Sequence, residues 1–396
     1  MRPNLATLTS TRFFAALTVF VTHVTVNPVV ANAAAATFLE RYLGRIGYAG
    51  VTFFFVLSGF VLMWSAREHD TVTGFYRRRL VKVFPNHLVT WAAGFALMAL
   101  TGALAAVSLG ALVPSLLLVQ SWSTDLPILF GTNGPSWSLA CELLFYLSFP
   151  LFAPLVRAVR PDRLWWAVAA TLALVLAVPT VASLLHGGAP SPFQDMPWVQ
   201  NWFAYFLPIS RLGDFLLGMV MARVVAEQGL PRLNLATALA AVLVGYAGML
   251  WLPGPFGLVA PIAPPLALLV AVLAQREYAG HAGWLASPLL VRLGEVSFAF
   301  YMVHFLVLQY GPIGLATRDP QDIARPPLEA AVLVTVSFAI SLLLGWALYR
   351  WVEVPAMRRW GRPRPTVNAT TPRSDGTPVA VTPQVRAVTL DKAGAS

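Results

Sequence analysis

The membrane character of the chain is plainest in GYAGVTFFFVLSGFVLMWSA, residues 47–66, where twenty consecutive residues carry no charged side chain. A helix needs about 20 mostly apolar residues to cross the roughly 30 Å hydrocarbon core of a bilayer. The composition points the same way over all 396 residues, since 57% are hydrophobic and only 11% are charged. Soluble domains carry about 25% charged residues. We therefore expect an all-α polytopic membrane protein.

Ten apolar runs are long enough to cross the bilayer. They lie at 11–31, 47–66, 86–106, 137–156, 164–185, 203–222, 234–253, 256–274, 294–312 and 328–350. With the N-terminus inside, this count puts 21 of the 27 Lys and Arg residues on the cytoplasmic side and four outside, which agrees with the positive-inside rule. The sequence thus predicts about ten transmembrane helices, both termini in the cytoplasm, and a multi-pass protein of the plasma membrane in contact with the lipid bilayer.

An eleventh apolar run at 107–121 is shorter than the others. If it crossed the membrane, Arg157, Arg160 and Arg163 would move to the outer side and the charge asymmetry would shrink. We therefore expect this run to lie half-inserted or on the surface.

The net charge of +10 follows from this topology, so we expect no nucleic-acid partner. The single cysteine, Cys141, excludes an internal disulfide and cysteine-based metal sites, and we expect no metal. Residues 361–396 are rich in Pro, Thr, Ala and Val, which predicts a disordered cytoplasmic tail after a membrane domain at 1–360.

Ionisable side chains inside predicted spans are costly and mark functional sites by default. They are Arg12, His23, Glu142, Arg211, Asp214, Glu295 and His304. Arg12 and His23 are eleven residues apart, which returns a helix almost to the same face after about 16 Å of rise. We expect Arg12 near the cytoplasmic interface and His23 near the midplane, level with His304, in one polar cavity.

The other polar residues divide into a stripe, a pair and a basic segment. Ser138, Glu142 and Tyr146 follow one another at i, i+4 and i+8 on one predicted helix. Arg211 and Asp214 are spaced to pair, which favours a structural ion pair over a catalytic one.

The basic segment FYRRRLVKVFP, residues 75–85, is predicted as a cytoplasmic loop with four cations in six residues. Its guanidinium groups at Arg77, Arg78 and Arg79 suit phosphates, although the positive-inside rule also explains part of this cluster.

Seven segments in order resemble the integral-membrane acyltransferase family 3. They are RFFAALTVFVTH (12–23), GVTFFFVLSGF (50–60), FYRRRLVKVFP (75–85), GPSWSLACELLFYLSFP (134–150), RLGDFLLGM (211–219), LGEVSFAFYMVHF (293–305) and YRWVEVPAMRR (349–359). The resemblance covers residues 8–360. It departs from the family at Thr52, where relatives often have Asp.

The resemblance implies transfer of an acyl group from acyl-CoA, as co-substrate, to a hydroxyl of a small molecule or glycan, with no bound cofactor. His23 is then the candidate general base, Arg12 positions the donor or the developing charge, and Glu142 orients the imidazole or the acceptor. The candidates for binding coenzyme A phosphates are Arg77, Arg78 and Arg79. The supporting candidates are Trp137, which could stack on a sugar, with Ser138, Tyr146, Arg211, Tyr301 and His304.

Several alternatives stay open at this point. PNHLVT (85–90) and SWSLACE (136–142) resemble the actinomycete branch that acylates macrolide antibiotics. A cell-surface polysaccharide O-acetyltransferase would share every motif, and a small-molecule transporter would also place polar residues inside a bundle of ten helices. A covalent acyl-enzyme on His23 or Ser138 is an alternative to direct transfer.

Overall fold

The computed structural model of the chain describes residues 5–26, 32–66, 70–230, 234–281, 283–316 and 325–361. Within these ranges the fold is helical, and the only β feature is an isolated bridge between Pro190 and Pro197. The α-helices that form there are α1 Ala6–Thr25, α2 Ala33–Leu43, α3 Ile46–Ser65, α4 Val72–Leu100, α5 Leu109–Leu116, α6 Leu126–Phe130, α7 Trp137–Ala158, α8 Leu164–Ser183, α9 Trp198–Asn201, α10 Leu212–Glu227, α11 Leu235–Trp251, α12 Ala263–Tyr278, α13 Pro288–Tyr310, α14 Pro312–Ala316, α15 Pro327–Leu348 and α16 Val354–Trp360. The predicted all-α class is confirmed for the described part of the chain.

Six helical stretches in the described residues are long and apolar enough to cross a membrane. They are Ala34–Ser65, Val72–Leu100, Gly134–Ala158, Pro161–Ser183, Pro288–Ala316 and Pro327–Trp360. Four further helices, α1, α10, α11 and α12, hold 16 to 20 residues each and overlap the remaining apolar runs. The chain is thus a multi-pass membrane protein with six candidate spans.

The helices α1, α3, α10 and α13 pack closely, and glycines allow the approach. A side chain at Gly59 of α3 would collide with the backbone of Phe215 in α10, and one at Gly218 of α10 would collide with Val56 of α3. Gly294 of α13 likewise lies directly against the backbone of α1. Small residues of this kind let membrane helices meet backbone to backbone. The result places one face of α1 against α13.

Helix α1 begins and ends earlier than the predicted run at 11–31. The Glu277 carboxylate accepts hydrogen bonds from the backbone N–H groups of Ala6 (2.7 Å) and Thr7 (2.9 Å), which satisfies donors that a helix start leaves open. The helix ends at Thr25, shortly before a proline, which disfavours helical backbone in the residue preceding it. His23 therefore lies in the last turn of α1.

The loop predicted for residues 75–85 is wrong, because this segment belongs to the continuous helix α4. Arg, Lys and Leu are strong helix formers, and the Thr71 hydroxyl caps the helix by accepting from the N–H of Gly74 at 3.2 Å. The charged side chains kept this segment out of the predicted span, so it was predicted as a loop. Charged residues do not prevent a helix from forming, however. The successive arginines consequently point in directions about 100° apart.

Two other segments differ from regular spans. In the run at 107–121 the only α-helix is α5, whose eight residues rise about 12 Å, less than half of a bilayer core. The predicted run 203–222 is broken at Pro208, which lacks an N–H and holds Leu207 in an extended conformation. Helix α10 therefore starts only at Leu212. The tail predicted for 361–396 lies outside the described residues except for Gly361.

Candidate active site

Helix α1 carries Arg12 and His23 on one continuous helix, as the sequence predicts. Both side chains are half-buried. They belong to two different polar clusters, one around His304 and one around Glu142, separated by about 16 Å along α1. His304, expected level with His23 in one polar cavity, contacts His23 directly through its side chain.

The two histidines form a hydrogen bond between Nδ1 of His23 and Nε2 of His304 at 2.8 Å, with their ring planes 18° apart. Nδ1 of His304 lies 2.6 Å from the carbonyl oxygen of Tyr301. A carbonyl oxygen only accepts, so Nδ1 of His304 carries a proton. His304 is 0% exposed, and an unpaired charge at such a depth is costly, so its Nε2 is unprotonated and accepts from His23. His23 therefore has its proton on Nδ1 and its lone pair on Nε2.

The ring of His304 is fixed by aromatic neighbours. Phe20 of α1 and Phe300 of α13 lie with their ring centroids 6.3 Å and 5.9 Å from it. His23 in turn meets the ring of Phe305 edge-on at 5.0 Å. The relative orientation of the two imidazoles is thus set by packing as well as by the hydrogen bond.

The second polar cluster surrounds Glu142 on α7. Its carboxylate accepts a hydrogen bond from the Tyr146 hydroxyl at 2.9 Å. The cationic groups of Arg12 from α1, and of Arg79 and Lys82 from α4, lie within electrostatic range of it. Positive charge therefore exceeds negative charge in this cluster, which suits an anionic ligand. The expectation that Glu142 orients the imidazole of His23 or the acceptor stays a prediction, and the charged groups that act on Glu142 are those of Arg12, Arg79 and Lys82.

Helix α7 links the two clusters through the predicted stripe. The Ser138 hydroxyl lies 2.8 Å from the hydroxyl of Tyr301, the residue whose carbonyl binds His304. Glu142 follows one turn later and acts electrostatically on Tyr301, and Tyr146 follows another turn later beside Arg79. A continuous line of polar groups therefore runs from the histidine pair to the cation cluster.

Glu142, Arg79 and His23 are each half-buried and keep part of their surface accessible. Among the described residues, no three His, Cys, Asp or Glu side chains gather as metal ligands would.

The three successive arginines of α4 do not form one cluster. Arg78 forms an ion pair with Asp70, and both side chains are partly exposed. Arg79 turns inward toward Tyr146 and stacks over the ring of Phe75 at 5.6 Å. The Nε atoms of Arg77 and Arg79 are buried and have no hydrogen-bond partner among the described residues. The helical rotation separates the three side chains, so Arg79 is the member that joins the internal cluster.

Arg211 and Trp137 lie in a neighbouring buried region rather than on the polar line. Arg211 is bound by Asp214 (Nη2 to Oδ2, 2.7 Å) and by the Thr52 hydroxyl at 2.8 Å, between the rings of Phe55 and Tyr205. This arrangement is a structural ion pair, and it uses the threonine that departs from the family pattern.

Trp137 is 6% exposed and packs against other aromatic rings. Its nearest ring neighbours are Tyr205 at 4.9 Å and Phe206 at 4.7 Å between centroids. Its ring is therefore surrounded by protein.

Sequence reasoning missed a buried carboxylate near the end of the chain. Glu353 is 2% exposed, forms an ion pair with Lys82 and accepts from Nδ2 of Asn86 at 2.5 Å. It lies in a π-helical turn, Tyr349–Glu353, of a kind that often occurs at functional sites. Glu353 lies in YRWVEVPAMRR and its partner Asn86 in PNHLVT, two segments already noted in the sequence. The last predicted span ended at residue 350, so Glu353 was not counted as an intramembrane carboxylate.

His87 was also overlooked. Its ring is 1% exposed, and its Nε2 lies 3.2 Å from the carbonyl oxygen of Leu116. Its Nδ1 has no hydrogen-bond partner among the described residues. Nothing in the structure joins this histidine to the polar line.

Comparison with known proteins bears on the chemistry of this site. The family model described as an acyltransferase domain matches residues 6–350. An acyltransferase of Streptomyces mycarofaciens, MdmB, is 40% identical over 378 residues, which is 95% of this chain and 97% of that protein. The exopolysaccharide production protein ExoZ of Rhizobium meliloti is 30% identical over 338 residues, 81% of this chain and 92% of that protein. No solved structure matches the chain significantly.

The family match extends over both polar clusters and over the helices α1 to α15. The matches confirm the resemblance carried by the seven sequence segments. Because they are to acyltransferases, they favour an enzyme over the transporter alternative. The chain therefore belongs to acyltransferase family 3 and is an enzyme that transfers acyl groups.

Proposed function

We propose that the protein is a membrane O-acyltransferase that moves an acyl group from acyl-CoA to a hydroxyl of a sugar-containing small molecule, such as a macrolide antibiotic. The observation that carries the proposal is the His23–His304 hydrogen bond, because it leaves a basic lone pair on Nε2 of His23. An alcohol needs such a base before it can attack a thioester. The macrolide acceptor rests on the resemblance to the actinomycete branch, which the Streptomyces relative supports.

In the proposed reaction, Nε2 of His23 takes the proton of the acceptor hydroxyl as its oxygen attacks the thioester carbonyl carbon. The tetrahedral intermediate then collapses, the carbon–sulfur bond breaks, and the proton on His23 passes to the thiolate of coenzyme A. The Tyr301 and Ser138 hydroxyls, 2.8 Å apart, are candidate donors to the developing oxyanion. Ser138 or His23 as a covalent carrier is the alternative, which a burst of acyl-enzyme would reveal.

The donor binds, in this proposal, at the cation cluster of Arg12, Arg79 and Lys82 around Glu142. Phosphate groups of coenzyme A are dianionic, and guanidinium groups offer them paired N–H donors. The unpartnered Nε of Arg79 supports this role, because a buried donor without an acceptor is costly until a ligand supplies one. Arg77, whose Nε also lacks a partner among the described residues, acts as a secondary donor contact, whereas Arg78 is held by Asp70 and takes no part in donor binding.

Two arginine variants test the donor site. We expect Arg79→Ala to raise KM for acyl-CoA by roughly 10-fold or more, the effect of one lost charge-assisted hydrogen bond of about 1.5 to 3 kcal/mol. Arg78→Ala is the matched control, since Arg78 is held by Asp70, and its KM should change far less. Equal KM values in the two variants would remove Arg79 from donor binding.

The reaction itself is tested with protein purified in detergent, labelled acyl-CoA and a macrolide bearing free hydroxyls. We expect transfer without a sealed compartment, and a loss of on the order of 10²- to 10⁴-fold in turnover in His23→Ala and His23→Gln. His186→Ala, which changes an exposed histidine, is the control and should keep normal turnover. Near-normal transfer in both His23 variants would refute the assignment of the base.

A polysaccharide O-acetyltransferase is the second candidate, and the similarity to an exopolysaccharide production protein favours it. The two functions use the same donor and base and differ only in the acceptor. Mass spectrometry of metabolites and of surface glycans, from cells with and without the protein, separates them by which fraction gains acyl mass increments.

The proposal includes ten crossings with both termini in the cytoplasm of a plasma-membrane protein. Helices α1, α10, α11 and α12, added to the six candidate spans, supply this number. The single native cysteine, Cys141, is buried, so reporter cysteines can be read against a silent background. An impermeant maleimide should label His186→Cys in intact cells and Arg160→Cys only after permeabilisation. The reverse pattern would overturn the topology.

A further inference from the structure

His304 is more completely enclosed than His23, since it is 0% exposed whereas His23 is half-buried. Its two ring nitrogens are both engaged, Nε2 by His23 and Nδ1 by the Tyr301 carbonyl. A group held in this way at 2.8 Å and 2.6 Å is not placed to exchange protons with a substrate. Its contact with the reaction runs through His23.

From this geometry we infer that His304 is the positioning residue of the proposed acyl transfer. It accepts the Nδ1 proton of His23 and thereby holds that ring with its lone pair on Nε2. The inference rests on the proposed role of His23 as general base. It assigns to His304 the orientation of the imidazole, which was one of the two roles that the resemblance implied for Glu142. Glu142 accepts from Tyr146 and interacts with the cations of α1 and α4.

The same arrangement controls where the proton goes. When Nε2 of His23 takes the acceptor proton, the ring becomes an imidazolium that still donates from Nδ1 to His304. The positive charge can be shared across the N–H···N bond between the two rings. It cannot pass further, because the next hydrogen-bond partner is the carbonyl oxygen of Tyr301, which does not take up a proton. The proton therefore remains available on His23 for the departing thiolate.

A side chain at position 304 needs an acceptor atom near the place of Nε2 if this inference holds. Gln offers its Oε1 there, whereas Leu fills a similar volume without any acceptor. We expect His304→Leu to lower kcat by on the order of 10²-fold with KM for donor and acceptor unchanged. This is less than the roughly 10⁴-fold lost when the aspartate that sets the tautomer of a triad histidine is replaced. His304→Gln should stay within about tenfold of the wild type, because the acceptor is retained.

The kinetic outcome separates positioning from packing. Equal losses of kcat in His304→Leu and His304→Gln, or no loss in either, would overturn the inference. If His23→Ala is inactive at the same time, the role of His23 as general base still stands. Absence of acyl transfer in the wild-type protein would instead count against the proposed function.

A measurement that does not depend on activity tests the tautomer itself. Full-length protein with ¹⁵N-labelled histidine, reconstituted in lipid, gives separate signals for protonated and unprotonated ring nitrogens, and His23→Gln assigns the signals of His23. We expect a protonated Nδ1 and an unprotonated Nε2. A protonated Nε2 in the neutral ring would overturn the inference, whether or not the variants at position 304 fold.

Discussion

Replacing Asp214 by alanine removes the carboxylate that neutralises Arg211 inside the bundle. The two side chains are 0% and 2% exposed, so water cannot take the place of the lost partner. The carboxylate binds both Nε, at 2.9 Å, and Nη2, at 2.7 Å. After the change, Nη2 keeps only the Thr52 hydroxyl, while Nε joins Nη1 as a buried donor without a partner among the described residues.

Removing one partner of a buried ion pair costs about 3 to 5 kcal/mol. The rings of Phe55 and Tyr205, each 5.0 Å from the guanidinium carbon, contact it before and after the change and so leave the difference unaltered. We therefore expect a loss of about 3 to 5 kcal/mol in the free energy of unfolding for Asp214→Ala. The double variant Arg211→Met/Asp214→Leu buries no charge and should recover most of that loss.

Thermal unfolding of the purified protein in detergent measures the difference, and at roughly 2 °C per kcal/mol the single variant should unfold at least about 5 °C below the wild type. Turnover of the double variant should be close to normal, since Arg211 lies outside the polar line. A double variant as unstable as the single one would refute the view of this pair as a dispensable ion pair. A stable but inactive double variant would show a functional role for Arg211.

Two further predictions concern the Lys82–Glu353 ion pair and the contact between α10 and α3. Glu353→Gln leaves Lys82 without its anion, and we expect about 1 to 3 kcal/mol less stability in the same thermal assay, partly restored by adding Lys82→Met. Gly218→Val should abolish a monodisperse gel-filtration peak, because its side chain would collide with the backbone of α3. Gly110→Ala, where a methyl group meets nothing within 4 Å, should leave the peak unchanged.

Hydropathy and charge predicted the helical regions well, because apolar length is a local property of the sequence. Each of the ten apolar runs contains or overlaps a helix of 16 residues or more. The boundaries were less certain, since they depend on caps and breaks supplied from elsewhere. Glu277 fixes the start of α1 from 270 residues away, and Pro208 breaks a run that hydropathy treats as continuous.

The candidate site was predicted in its parts but not in its arrangement. Helical spacing correctly placed Arg12 and His23 on one helix, and the stripe at Ser138, Glu142 and Tyr146 forms part of the polar line. Depth estimates could not show how each helix is rotated about its axis. They therefore could not show that Glu142 lies among the cations of Arg12, Arg79 and Lys82. Rotation is set by interhelical packing, which one sequence does not reveal.

The hydrogen bond between the two histidines joins residues 281 positions apart. The ribosome makes the first imidazole almost at the start of synthesis and the second only after most of the bundle has entered the membrane. A nascent or truncated chain thus holds His23 before His304 is present to accept its Nδ1 proton. If His23 is the base proposed above, the ability to transfer acyl groups arises only when the late helix docks, and unfinished molecules have little capacity to hydrolyse a thioester.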